Sequence, residues 1–158
     1  MSLISWNCPG LGNPLTTKVL KKMVLREKPL IVFLMETKLS SEDMEKMQRS
    51  LGFKNGCHSA TEGRSGGLGL WWMDQSKIRV LRVSKHIINT ELEIDGEGLH
   101  FTVVYGYPRR EIRREVWEEI QSLDKRDSVP WLLIGDFNTV LSSEEKKGGN
   151  VCSPYLKS

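Results

Sequence analysis

A chain of 158 residues with 39% hydrophobic and 27% charged content can bury a core and has the composition of a folded domain, which excludes wholesale disorder. The net charge of +3 is mildly basic, compatible with a polyanionic partner but too small to argue for one alone. No stretch approaches the roughly 20 apolar residues that cross a bilayer, and "MSLISWNCPG" lacks a basic region followed by a long apolar one, so neither a membrane nor secretion is expected.

In chain order, "LISW" at 3–6 is a short apolar run of the kind that predicts a strand buried on both faces. Residues 16–27 place Val19, Leu20, Met23 and Val24 on one helical face. "LIVFLM" at 30–35 predicts a second buried strand. A helix over 41–51 carries Met44, Met47 and Leu51, with Ser40 and Asp43 in capping-box positions. "GGLGLWW" at 66–72 and "KIRVLRV" at 77–83 predict a strand pair turning at "MDQS". "IINTELEI" and "LHFTVVYG" alternate with period two and predict half-exposed strands, with a hairpin turn in "DGEG" at 95–98. A helix over 110–123 spaces Ile112, Val116, Ile120 and Leu123 along one face. "WLLI" at 131–134 closes the series as a third buried strand.

This order predicts one mixed α/β (α+β) domain over residues 1–141, sheets inside and helices outside, followed by a poorly ordered polar tail over 142–158. A strand as apolar as "WLLI" is expected to have neighbours on both sides, so the fold is expected to continue past this chain. No internal repeat or low-complexity tract occurs. Cys8, Cys57 and Cys152 are odd in number and lack C-x-x-C spacing. That excludes a disulfide framework and a recognisable zinc site, and fits an intracellular, nucleus-compatible setting. His58, His86 and His100 are as scattered.

The chemistry sits where the apolar runs stop. "LISW" ends in Asn7, "LIVFLM" in Glu36, "FTVVY" in Tyr105, and "WLLIG" in Asp136 and Asn138. Each has a structural reading by itself. Asn7 suits a turn, Glu36 can cap a helix or pair with Lys38, Tyr105 can be a core aromatic, and Asp136 with Asn138 can form an Asx-turn. Strand ends that lie side by side form one rim, however. Two carboxylates there, flanked by amides and a phenol, could hold a hard cation and a phosphate.

The blocks "ISWNCPGLGN", "IVFLMETKL", "GRSGGLGLWW", "VVYGYP" and "WLLIGDFNTVL" together resemble the endonuclease/exonuclease/phosphatase superfamily, which includes deoxyribonuclease I and the apurinic endonucleases. They look most like the endonuclease domain of plant LINE-type retrotransposons. The resemblance implies a four-layer sandwich, two packed mixed β-sheets with outer helices, and Mg²⁺- or Mn²⁺-dependent nicking of DNA with one ion. It implies Glu36 as metal ligand, Asp136 and Asn138 as the residues that position and deprotonate water, Asn7 as their support, and Tyr105 as a phosphate-binding phenol.

"GRSGGLG" lacks the lysine and hydroxyl residue of a phosphate-binding P-loop, and its glycines are expected to serve close packing. Arg109, Arg110, Arg113 and Arg114 follow Tyr105; they suit a solvated helix face or contacts to a DNA backbone. Pro9 stands where elements of this type commonly have arginine. The resembled pattern continues past "GDFN" to a closing "SDH"-like motif, whereas no histidine follows His100 here. The resemblance thus implies a C-terminally shortened domain with activity impaired or lost, the alternative being an inactive remnant that at most binds nucleic acid. It defines no protein partner.

Overall fold

The computed structural model describes residues 2–59, 66–123 and 128–139. The tail expected over 142–158 lies outside the described residues, as do Gly63, Arg64 and Ser65 of "GRSGGLG". The elements are β1 (Leu3–Asn7), α1 (Pro14–Glu27), β2 (Ile31–Met35), α2 (Ser41–Ser50), β3 (Asn55–His58), β4 (Leu68–Trp72), β5 (Lys77–Val83), β6 (Ile87–Ile94), β7 (Glu97–Tyr105), α3 (Arg110–Gln121) and β8 (Trp131–Asp136).

The strands form two mixed four-stranded sheets, ordered β1-β2-β4-β3 and β5-β6-β7-β8. In each, one pair is parallel: β1 with β2, and β7 with β8. Ile31, Phe33, Met35, Leu68 and Leu70 of the first sheet meet Ile88, Leu92, Phe101, Val103 and Tyr105 of the second in a shared core. Alternation along β2 sends Val32 and Leu34 to the other face, under Leu20 of α1 and Met44 of α2. Ile87 and Val104 likewise lie under Val116 and Ile120 of α3. The result is helix, sheet, sheet, helix: the four-layer sandwich expected above.

Local chemistry fixes the element ends. Asn13 Oδ1 accepts the Leu15 amide at 2.9 Å ahead of Pro14, and Lys28 closes α1 in the left-handed region at φ 45°. Ser40 Oγ accepts the Asp43 amide at 3.1 Å and donates to Asp43 Oδ2 at 2.9 Å, so the expected N-cap forms, with Asp43 bonded to the Ser40 hydroxyl and not, as in a full capping box, to its backbone amide. The turn between β6 and β7 is Asp95-Gly96, both at positive φ (51° and 84°), the two-residue form that matches the twist of a hairpin.

Several expectations are corrected. β1 is not buried on both faces: among the described residues it pairs only with β2, Ser5 is exposed and only Ile4 is buried. β8 is also not buried on both faces: among the described residues it pairs only with β7, and Leu132 is 41% exposed. β4 and β5 do not form a hairpin; residues 73–76 carry the chain from one sheet to the other. β6 and β7 are not half-exposed throughout. Asn89, Thr102 and Val104 are buried, on the outer side where α3 and the Trp131 side chain pack. The polar groups there are satisfied: Thr102 Oγ1 donates to Asn89 Oδ1 at 2.8 Å and accepts from Trp131 Nε1 at 2.9 Å. Val19 is 46% exposed and contributes little to the face of α1 that packs. β3, with the sequence "NGCH", has no apolar run to announce it.

Gly135 shows how tightly β7 and β8 are joined. Its φ is 151°, and a Cβ there would lie 1.8 Å from the carbonyl oxygen of Val104, its partner in register. Gly135→Ala should therefore cost about 3 kcal/mol by urea denaturation, because both the dihedral and the neighbouring backbone oppose it. Gly98→Ala, with open space around the new methyl, should stay within about 1 kcal/mol.

Candidate active site

Parallel pairing brings the ends of β1 and β2 together, and likewise those of β7 and β8. The two pairs then meet across the sheet gap. Asn7 Nδ2 donates to Asp136 Oδ2 at 3.0 Å, and the Tyr105 hydroxyl donates to Glu36 Oε1. Asn138 lies in the same cluster: its amide N–H donates to Asp136 Oδ1 at 2.9 Å and its side-chain Nδ2 to the carbonyl of Gly106. The structure thus gathers Asn7, Glu36, Tyr105, Asp136 and Asn138 at one rim. The Asx-turn reading of Asp136 also holds, since one oxygen serves that turn while the other crosses to Asn7.

The backbone is bent to make this arrangement. Glu36 has φ 54° and Asn138 φ 47°, both in the left-handed region. The Gly10 amide holds the Glu36 carbonyl at 3.0 Å, and the Cys8 amide holds that of Met35 at 2.9 Å, so the segment after β1 fastens the end of β2. Cys8 itself is wholly buried and its thiol donates to the Met35 carbonyl at 3.1 Å. Burial pushes that thiol up to about 12, aided by the negative Glu36 nearby, so it is not a nucleophile.

Tyr105 is 2% exposed. Burial raises its phenol well above the ordinary value, and the hydrogen bond to Glu36 adds to the effect. It therefore stays protonated and acts as a donor. Both oxygens of Asp136 accept hydrogen bonds. Glu36 Oε2 and Asn7 Oδ1 have no partner among the described residues, which leaves hard oxygen donors directed to no protein group. Among the described residues no group of three or more His, Cys, Asp or Glu side chains converges.

The arginines are placed differently. Arg113 donates to the Pro108 carbonyl at 2.7 Å and Arg114 pairs with Glu118 at 2.9 Å, so both are engaged along their own helix. Arg109 and Arg110 are exposed at the start of α3. Of the glycines in "GRSGGLG", Gly69 serves close packing as expected, since a Cβ there would lie 2.5 Å from Met44 Cε. Sequence reasoning missed Gly106. Its amide donates to the Asp136 carbonyl at 2.6 Å, and a Cβ on it would sit 2.3 Å from the Phe137 carbonyl oxygen. Its place between two tyrosines was the available signal.

The sequence profile described as "Endonuclease/Exonuclease/phosphatase family" matches residues 4–153. The chain belongs to this endonuclease/exonuclease/phosphatase family. No curated protein sequence matches it. Solved structures with the same fold include D. rerio TDP2 humanised by 14 mutations (TM-score 0.64, 16% identity, 89% of this chain and 67% of that one). An AP endonuclease from Archaeoglobus fulgidus aligns with TM-score 0.63 at 14% identity, over 92% of this chain and 62% of that one. D. rerio TDP2 complexed with a single-strand DNA product aligns with TM-score 0.61 at 18% identity, over 89% and 61%. The chain thus spans 61–67% of the length of these structures, and identities this low establish the fold alone. The family joins endonucleases, exonucleases and phosphatases, all of which hydrolyse phosphate esters.

The Tyr105 phenol makes the site's electrostatics measurable. Its pKa is raised from an ordinary value of 10.0, so the folded protein holds the proton more tightly than the unfolded chain does. The stability this contributes is complete below pH 10 and is lost as pH rises through the folded pKa. Ultraviolet difference titration of the wild type against Tyr105→Phe should show no phenolate from Tyr105 at about pH 11, where an unperturbed phenol is largely ionised.

Proposed function

We propose that this chain is a DNA-nicking phosphodiesterase domain of the LINE-retrotransposon type, acting inside the cell with one Mg²⁺ or Mn²⁺ ion. The observation that carries this reading is the pair of cross-sheet hydrogen bonds, Asn7 to Asp136 and Tyr105 to Glu36. It collects two carboxylates, two amides and a phenol at one place. Enzymes of this family generally use divalent metal ions. The donor set suits a hard cation, since the open atoms are a carboxylate oxygen and an amide oxygen. Glu36 and Asn7 would hold the ion, which when bound neutralises charge on the phosphate.

The remaining roles belong to the chain's own groups. Asp136, fixed from two sides, accepts the proton of the attacking water and aims it. Asn138 keeps that carboxylate in place and offers an amide to the phosphate. Tyr105, protonated at all physiological pH, passes its hydrogen bond from Glu36 to a non-bridging oxygen, where charge grows during in-line attack. DNA as the substrate is supported by the LINE-like blocks "WNCPGLG", "ETK" and "GDFN", and by the exposed Arg109 and Arg110 beyond Tyr105.

A second reading is an inactive domain that binds nucleic acid without cutting it. It is favoured by a described site of two carboxylates with no third acidic, thiol or imidazole ligand. Plasmid nicking in Mg²⁺ separates the two. Glu36→Ala and Asp136→Ala should each lower the rate by about 10²–10³ or more. Nicking that survives both substitutions, or a wild type that binds DNA and leaves it supercoiled, would overturn the enzyme reading. Release of inorganic phosphate with DNA intact would mark a phosphatase instead.

A further inference from the structure

Tyr107 stands two residues beyond Tyr105 and is half-buried. Its ring is held from two sides, edge-on to His86 at 5.7 Å and 89°, and tilted against Tyr105 at 5.4 Å. Contacts of this kind fix an aromatic ring without using its polar end. Its hydroxyl has no hydrogen-bond partner among the described residues.

The position of that hydroxyl is set by a second frame. Gly66 and Gly67 run beside the turn that follows Glu36: the Lys38 amide donates to the Gly66 carbonyl at 3.1 Å, and the Thr37 amide to that of Gly67 at 3.2 Å. A Cβ on Gly66 would lie 3.5 Å from the Tyr107 hydroxyl. Tyr107 is thereby pinned against the Glu36–Lys38 turn, next to the phenol that already donates to Glu36. Two tyrosine hydroxyls flank one segment of the rim, one engaged with Glu36 and one without a hydrogen-bond partner among the described residues. Gly66, at φ 78°, is the residue type that tolerates this backbone.

We propose that Tyr107 is a second substrate-binding phenol, whose hydroxyl donates a hydrogen bond to an anionic oxygen of a backbone phosphate adjoining the phosphodiester held at Glu36 and Asp136. This rests on the nuclease reading above. Tyr107 grips the ground state and the transition state alike, so it sets affinity and leaves the chemical step unchanged. A neutral phenol bound to an anionic oxygen forms a charge-assisted hydrogen bond, and its loss corresponds to about tenfold in affinity.

Tyr107→Phe tests this, because phenylalanine keeps the contacts with His86 and Tyr105 and removes only the hydroxyl. Binding of a fluorescein-labelled DNA duplex is measured by anisotropy in Ca²⁺, and its cleavage in Mg²⁺. The variant should raise Kd about tenfold, and KM in parallel, with kcat and the unfolding midpoint unchanged. An unchanged Kd, or a fall in kcat at constant KM, overturns the role of Tyr107 and leaves the nuclease reading standing. A wild-type protein that neither binds nor cuts the duplex overturns both. If the wild type binds without cutting, the Kd comparison still decides the role of Tyr107.

Discussion

Two side-chain hydrogen bonds join sheets that share no strand, and the candidate site exists only where they do so. Asn7 and Asp136 have short side chains, so their 3.0 Å contact requires the ends of β1 and β8 to approach closely. Tyr105 and Glu36 bridge the same two sheets from their inner strands, with the tyrosine ring filling the space between layers. Phe33, Leu70, Phe101 and Val103 set the separation of the sheets by packing between them. A core that was thicker or thinner at this end would leave donors facing water and carboxylates facing one another. Packing in the shared core and polar order at the rim are one constraint.

The choice of donors has an electrostatic logic. Glu36 and Asp136 are held by neutral groups, an amide and a phenol, rather than by arginine or lysine. Neutral donors orient a carboxylate while leaving its charge available to a cation. A bidentate arginine would occupy both oxygens and cancel that charge. The cations of the following segment are kept apart: Arg113 and Arg114 are engaged along α3. Negative charge therefore stays concentrated at the rim while positive charge lies beside it.

How much of this could be read from the sequence depended on whether a residue's role is local. The N-cap at Ser40 and the Asp95-Gly96 turn were legible because their chemistry spans four residues or fewer. β2 was legible because an unbroken apolar run between two helical patterns admits one placement, with all five residues buried. β1 and β8 carry equally apolar runs yet each pairs with one strand among the described residues, since composition records how greasy a strand is and not how many neighbours it has. β4 and β5 were joined wrongly for a related reason: adjacency in the chain favours a hairpin, whereas pairing of Trp72 with Ile31 and Asn55 keeps β4 in the other sheet. The five rim residues were visible as polar groups ending apolar runs. Gly106 and Tyr107 were not, because a carbonyl's partner and an aromatic ring's neighbours appear only once distant strands are assembled.

Cys8 carries a last consequence. It follows Asn7 directly and lies close enough to Glu36 for that charge to hinder its ionisation. With no exposed surface and a thiol pushed up to about 12, Cys8 stays a thiol at neutral pH. Oxidants, alkylating agents and soft metals act on the thiolate, so burial protects the Cys8 sulfur from all three. The candidate site therefore has a sulfur beside it but no reactive thiolate. The burial that stabilises the end of β1 thus also shields it chemically.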